Sequence, residues 1–334
     1  MIPSQLLGIF LRFRIERIAI ASDVEKAFLQ VRLYEVYRDA TRCLWLYDHK
    51  SPPFPNNIKT LRFARVIFGL NKPPFFLAGT VRFHLGPYKE EAELISQHKD
   101  NLYADNLVVT VDELEEAFQS YLRIKQIFND FNMNLREFAS NNIDLMERIP
   151  SVDKADSKLP KVLGIPWNIK VDCLQITCMT RTNQRITKRT MASTLASVYE
   201  PMSFLKPLLH KAKVFLRSPW KDKYNWDHIL PDSCKDEWIT ICTKKQGFTK
   251  PLPRCLGTKN AKYILVTFAD ASVEALTTCI YLRCKNATNL LMAKSKLSLL
   301  KSASTVRRME LDAVTLALRL TNAVLTQLQW TLEI

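Results

Sequence analysis

Asp23 follows an apolar run in Ile18-Ala-Ile-Ala-Ser-Asp23-Val-Glu-Lys-Ala-Phe28, and Asp105 lies in Asn101-Leu-Tyr-Ala-Asp-Asn106, just before the apolar Leu107-Val-Val-Thr110. Two such strand-like runs laid side by side would bring both carboxylates to one place. Carboxylates from different strands are what a pair of divalent cations needs. Ions about 3.5–4 Å apart can activate an attacking hydroxyl and stabilise a leaving oxygen, the chemistry of nucleotidyl transfer. A lone aspartate at a strand end is more often a cap or turn residue, so the pairing carries the expectation. Asn106 is its ambiguity, because an amide can coordinate a metal but brings no charge.

The elements that must position these acids are read from periodicity. Arg42-Cys-Leu-Trp-Leu-Tyr47 and Leu61-Arg-Phe-Ala-Arg-Val66 alternate like strands around Ser51-Pro-Pro-Phe-Pro55 and suggest a hairpin. Lys72-Pro73-Pro74 leads into a helix from Phe75 to Leu85, since a proline at a helix start removes an N–H that has no partner there. Asp112-Glu-Leu-Glu115 resembles a capping box, and Leu114, Phe118, Tyr121, Leu122, Phe128 and Phe131 recur near helical spacing. Lys161-Val-Leu-Gly164-Ile-Pro-Trp-Asn168 and Leu174-Gln-Ile-Thr177 read as a second hairpin. From Ile186 to about Arg217 the pattern is helical and basic, broken at Pro201 and Pro207. Its charges, Lys188, Arg189, Lys206, Lys211, Lys213 and Arg217, suit either a solvated face or a phosphate backbone. Pro251 to Lys262 reads as a linker. Beyond it, Tyr263–Asp270, Thr277–Leu282 and Asn289–Met292 are expected strands, and Met309–Leu328 a helix with Ala313, Leu316, Ala317, Leu320 and Val324 on one face.

A chain of 334 residues, 47% hydrophobic and 24% charged, can bury a sizeable core in two or more domains. Its 48 Lys and Arg against 33 acids give a formal charge of +15, which favours a polyanionic partner. The eight cysteines contain no Cys-x-x-Cys pair and the five histidines do not fall at zinc-ligand spacing, so reduced, structural cysteines are expected. Leu6-Leu-Gly-Ile-Phe-Leu11 is too short to span a bilayer and runs into Arg12, Arg14 and Arg17; no membrane partner and an intracellular location are expected.

Many short motifs then occur in order. They are Ser22-Asp23-Val-Glu-Lys-Ala-Phe-Leu-Gln-Val31, Phe68-Gly69-Leu70 before Pro74-Phe75, Tyr103-Ala104-Asp105-Asn106, Met133-Asn-Leu-Arg-Glu137 and Val162-Leu-Gly-Ile-Pro-Trp167. Thr187-Lys188-Arg189, Leu195-Ala-Ser-Val-Tyr199-Glu200-Pro201, Phe204-Leu205, Phe268-Ala-Asp270-Ala-Ser272, Ala293-Lys-Ser295 and Arg308-Met-Glu310-Leu311 continue the series. Together they resemble the reverse transcriptase region of Pao/BEL-type long-terminal-repeat retrotransposons, running into RNase H.

The resemblance implies an α+β fold with four parts. They are a reverse transcriptase palm over residues 1–178 with its fingers largely missing, a thumb-like helical region over 179–250, a linker over 251–262, and a partial RNase H-like α/β unit over 263–334. It implies an RNA-directed DNA polymerase fragment of a retrotransposon polyprotein, using Mg²⁺ or Mn²⁺ on Asp23, Asp105 and Asn106, with an RNA/DNA template-primer and dNTP as partners. Phe28 would press on the sugar of the incoming nucleotide, and Phe68 and Gly69 would line its pocket. Gly164 would sit in the hairpin that grips the primer, with Lys188, Arg189, Lys211 and Lys213 on phosphates. Asp270 and Glu310 would be the first two RNase H carboxylates. Three features depart from the family pattern: Asn106 stands where many reverse transcriptases carry a second aspartate, Ile67 and Lys72-Pro73 replace the usual proline and small polar residues, and no Asp-Thr-Gly or Asp-Ser-Gly protease motif is present. The short stretches before Asp23 and after Glu310 add an alternative expectation, a catalytically inactive nucleic-acid-binding remnant or a truncated gene model of the same element.

Overall fold

The computed structural model describes residues 4–67, 69, 73–86, 88, 101–156, 160–180, 185–299 and 305–329. In chain order, α1 (Ser4–Phe13) precedes β1 (Ile18–Val24) and the short α2 (Ala27–Gln30). Next come β2 (Arg42–Leu46), β3 (Ile58–Arg62), α3 (Pro73–His84), β4 (Leu102–Tyr103), β5 (Asn106–Val111), α4 (Leu114–Asp130), β6 (Leu135–Ser140) and α5 (Ile143–Arg148). The strands β7 (Lys161–Val162), β8 (Ile165–Asn168) and β9 (Cys173–Cys178) are followed by the helices α6 (Lys188–Ala196), α7 (Lys206–Phe215), α8 (Ser218–Lys221) and α9 (Asp232–Thr243). The chain then runs through β10 (Phe248–Pro253), β11 (Tyr263–Ala271), β12 (Ala275–Cys284) and β13 (Ala287–Leu297) to α10 (Val306–Leu328). It divides into two units, Ile20–Val109 with Glu113–Asp156, and Met1–Ala19 with Thr110–Asp112 and Ser157–Ile334.

The strand order β4-β5-β1-β6 places the two aspartate-bearing segments side by side. Helix α4 buries Ala117, Ser120, Tyr121, Ile124, Ile127 and Phe128, one continuous stripe at helical spacing. The Tyr121 ring meets Phe138 of β6 edge-on at 4.9 Å. The Lys125 ammonium donates to the Leu135 carbonyl at 2.7 Å and pairs with Asp153, whose other oxygen accepts from the Tyr121 hydroxyl at 2.9 Å. Two details depart from the sequence reading. Leu122 lies on the exposed side, and the N-cap is Glu113 without a side-chain cap bond. The Asp112 carboxylate instead accepts the backbone N–H groups of Arg17 and Lys259, at 3.1 and 2.9 Å.

In the other unit, β10-β9-β8-β7 form an antiparallel sheet. The stretch read as a linker begins inside this sheet: Pro251 and Pro253 lie on β10, an edge strand, where a missing N–H breaks no ladder. Helix α6 opens on a capping box in which Thr187 and Thr190 exchange side-chain-to-backbone bonds. Pro207 stands in the first turn of α7, starting that helix where a break was expected. Ile186, Met191, Ala212, Leu230, Trp238, Ile241 and Cys242 make the core of these helices.

The strands β11, β12 and β13 form an antiparallel meander. Helix α10 packs Met309 and Ala313 against Leu276 of β12, and Ala317, Leu320 and Val324 continue the buried stripe. Two buried guanidiniums tie this unit together. Arg254 donates to the carbonyls of Phe13, Glu16 and Arg17 and forks onto Asp172. Arg14 donates to Leu290 and Leu291 of β13. All eight cysteines are free, and no helix among the described residues is long and apolar enough to cross a membrane.

Candidate active site

A bulge and a tight turn aim the two acids. Along β1 and β6 the register runs from Ala21 opposite Ala139 to Asp23 opposite Arg136, so β6 carries one extra residue there. Glu137, inside that step, has φ 56°. A left-handed conformation costs a non-glycine residue about 1–2 kcal/mol, and bulges of this kind re-aim neighbouring side chains. Asp105 occupies a two-residue turn: Tyr103 pairs with Asn106, and Ala104 takes φ 54°. The Val24 N–H donates to the Asp105 carbonyl at 2.8 Å and locks the turn onto β1.

The two carboxylates share one donor. Asn106 Nδ2 donates to Asp105 Oδ1 at 2.9 Å and to Asp23 Oδ1 at 3.3 Å, so the two oxygens are no farther apart than those distances combined. Burial, then the Asp105 and Glu137 carboxylates, push the Asp23 carboxyl up to about 6, against the opposing pull of Arg136. The site therefore holds negative charge at a cost. Asn106 relieves part of it with an amide hydrogen.

That role makes a substitution informative. In EDTA at pH 7.5, Asn106→Asp removes the shared donor and adds a third carboxylate, so destabilisation of about 1–3 kcal/mol is expected. Mn²⁺ should then raise the melting temperature of the variant more than that of the wild type, measured by differential scanning fluorimetry. Identical melting curves in EDTA, with identical responses to Mn²⁺, would overturn this view of Asn106.

The residues expected around the nucleotide and the primer lie on separate elements. Phe28 is buried in the first turn of α2. Gly69 is exposed at φ 88°, and Phe68 lies outside the described residues. Gly164 and Leu163 form the two-residue turn between β7 and β8, with φ of 86° and 50°, the positive pair of a type I′ hairpin. The Tyr199 hydroxyl donates to the Leu163 carbonyl at 2.9 Å, and a Cβ on Gly164 would come within 3.1 Å of its ring.

The basic residues split into two groups. Lys188, 9% exposed, donates to the Tyr224 carbonyl at 3.1 Å and has its ammonium 4.3 Å from the Trp220 ring centre. It is packed as a structural cation. Arg189 is exposed, forks onto Asp227 and lies over Trp226, and Lys211 is exposed as well. Burial, with the neighbouring Lys206 ammonium, holds Lys213 down to about 8.

Asp270 is the penultimate residue of β11, on the sheet face shared with Thr277, its partner across the register. It lines a cleft of about 380 Å³ with Ser272, Thr277, Ser295, Lys206 and His210. Glu310 opens the second turn of α10, because the helix starts at Val306, earlier than expected; it is next to Met309, which packs with Leu276, Ala313 and Ala271. The structure thus carries these two acids on adjoining elements, each one residue from a common apolar cluster. Among the described residues no group of three or more His, Cys, Asp or Glu is placed to hold a metal.

Sequence reasoning gave no role to Arg136 and Glu137, although Met133-Asn-Leu-Arg-Glu137 was among the motifs. Arg136 lies opposite Asp23, 3.6 Å from Glu25 and 3.5 Å from Glu137. The signal available in sequence was only a charged pair inside an apolar strand.

Residues 187–334 match the Pao retrotransposon-like RNaseH-like domain family. No curated protein matches the chain. The foamy viral protease-reverse transcriptase, solved in complex with an RNA/DNA hybrid, is similar in fold, with TM-score 0.55 and 13% sequence identity. The similarity covers 95% of this chain and 38% of that one.

Proposed function

We propose, for a chain whose residues 187–334 match the Pao retrotransposon-like RNaseH-like domain family, a retroelement fragment that extends a DNA primer on an RNA template. The observation that carries this reading is the pair Asp23 and Asp105, brought from β1 and from the turn between β4 and β5 onto one Asn106 amide. In this reading the β4-β5-β1-β6 sheet and α4 are the palm, and the helices after Thr187 the thumb.

The donor set fits a hard divalent cation. Two carboxylates are ligands that Mg²⁺ and Mn²⁺ prefer, Asn106 would add its amide oxygen by turning over the side-chain amide that now donates to both acids, and an aspartate whose proton affinity is raised by its neighbours gains most from a cation. Asp23, Asp105 and Asn106 would hold it, and when bound it would activate the primer hydroxyl and stabilise the leaving pyrophosphate. The chain's own contribution is positional. The bulge at Glu137 sets Asp23, the Ala104 turn sets Asp105, and the Val24 N–H joins the two. Gly164 would hold the primer through its hairpin, with Arg189, Lys211 and Lys213 on phosphates, while Phe28, Phe68 and Gly69 surround the dNTP. Asp270 and Glu310 would serve RNA hydrolysis. Lys188, packed between tryptophans, would support α6 instead of touching phosphate.

A second reading rests on Asn106, which leaves the pair with one carboxylate fewer than a triad. In it the chain binds primer-template without synthesis. A primer-extension assay on an RNA template separates the two: dNTP incorporation that needs Mn²⁺ or Mg²⁺ and stops with EDTA is expected. Salt-sensitive binding with no extended product at any metal concentration would favour the second reading.

A further inference from the structure

We propose that the β2–β3 hairpin is a stacking platform for unpaired nucleotides of a single-stranded polynucleotide, a reading that rests on the nucleic-acid function above and adds a site to it. The register sets Trp45 opposite Lys59 and Cys43 opposite Leu61, so strand alternation puts Trp45 and Lys59 on one face. Trp45 is 62% exposed, Tyr47 68% and Phe54, in the loop, 61%. The Lys59 ammonium lies 5.2 Å from the Tyr47 ring centre, which places a cation among the aromatic surfaces.

These rings are held out by a braced hairpin. A two-stranded ribbon is marginal alone, but Asn57 fastens this one. Its amide donates to the carbonyls of Asp48, Ser51 and Pro52, and its Oδ1 accepts the Asp48 N–H at 2.8 Å. At the other end Arg62 reaches Asp39 and Glu35, at 3.0 and 3.1 Å, and Arg42 also pairs with Asp39. Rigid aromatic surfaces cost a ligand little ordering.

Charge decides the class of occupant. Between Arg32 and Arg65 seven Lys or Arg stand against three acids, and an apolar protein partner has no need of that excess. A strand of nucleotides uses both features: every base has a face to stack on a ring, and every linkage has a phosphate for a nearby cation.

The test compares two labelled RNA/DNA duplexes, one blunt and one with a single-stranded template overhang of about eight nucleotides, a length within one small binding site. Fluorescence anisotropy with the full chain should show roughly tenfold tighter binding of the overhang duplex. Trp45→Ala with Tyr47→Ala should erase that gain and leave the blunt-duplex Kd unchanged, while Trp45→Phe, which keeps a ring, should preserve it. Lys59→Ala should lower the salt slope of overhang binding by about one. Wild-type chain that binds both duplexes equally, or a double variant that keeps the gain, removes the platform and leaves the polymerase reading standing. Wild-type chain that binds neither duplex removes both. A double variant that loses self-association in sedimentation velocity, with the overhang gain intact, marks the hairpin as a protein contact and overturns the proposal.

Discussion

Asp23→Asn is expected to abolish primer extension, by on the order of 10³-fold or more, and at the same time to make the metal-free protein more stable at neutral pH. On the proposed function, the activity loss follows from removing one of two carboxylates that would hold the cation, whose charge stabilisation would be worth several kcal/mol in the transition state. The stability gain follows from Asp23's raised pKa. In the folded chain the carboxyl titrates at about 6, above its ordinary 3.8, because burial and the Asp105 and Glu137 carboxylates disfavour the anion. The folded state therefore holds the proton more tightly than the unfolded state between those two values. This carboxyl's contribution to stability is fully present below about pH 4 and is lost as pH rises through 6. Two units would be about 3 kcal/mol in a dry site, but this carboxyl is only half-buried, and solvent screening leaves roughly 1–2 kcal/mol. Asparagine keeps the shape without the charge. Its melting temperature in EDTA at pH 7.5 should rise by about 2–6 °C, and the wild-type decline between pH 4 and 6 should flatten. A variant that melts with the wild type across this range would remove the electrostatic account of the site, and undiminished extension would remove the catalytic one.

Arg254→Met is expected to be the most destabilising single change in its unit. The guanidinium is 0% exposed and uses its whole fork: Nε and Nη2 donate to the two Asp172 oxygens at 2.7 and 2.8 Å, Nη1 to Phe13 and Glu16, and Nη2 to Arg17. Removing one partner of a buried pair takes the guanidinium from three carbonyls and from the Asp172 carboxylate, which keeps the Trp167 indole N–H at 3.0 Å, and costs about 3–5 kcal/mol. One effect works the other way. Burial and the adjacent Arg254 charge hold Arg14 down to about 10, so losing Arg254 relieves Arg14 and places the cost at the lower end. Arg254→Lys should recover little, because an ammonium is a point charge and cannot span Asp172 bidentately. Urea denaturation of the two variants checks this; a midpoint for Arg254→Met within experimental error of wild type would show that the carbonyls find water instead.

Much of the fold was legible because periodicity reports burial directly. The three strands of the β11–β13 meander and the helix ending at Leu328 emerged near the expected positions, with Ala313, Ala317, Leu320 and Val324 buried as expected, since alternation and helical spacing are local properties. Pairing Asp23 with Asp105 was legible as well, because each acid marks the edge of an apolar run. What sequence could not show was direction and partnership. Lys188 reads as one more charge in a basic helix, and only the tertiary placement of Trp220 and Trp226 makes it a buried cation. Asp112 has the spacing of a cap, but its partners at Arg17 and Lys259 come from distant stretches of chain. Pro207 was ambiguous in kind, since proline marks both the break and the first turn of a helix. The bulge that orients Asp23 has no composition of its own, as Glu137 is not a residue that normally adopts its backbone angle.

The Arg14 and Arg254 anchors also set an order of events during biosynthesis. Arg14 finds its β13 carbonyl 276 positions later, and Arg254 closes on Phe13 across 241. At roughly 5–20 residues per second a ribosome needs about 14–55 s to travel from Arg14 to Leu290. During that interval the first helix is made but its final partners are not, so α1 waits with buried-type side chains such as Ile9, Phe10 and Leu11 uncovered. Helix α1 is therefore made well before it is secured, and its apolar side chains stay exposed for that interval.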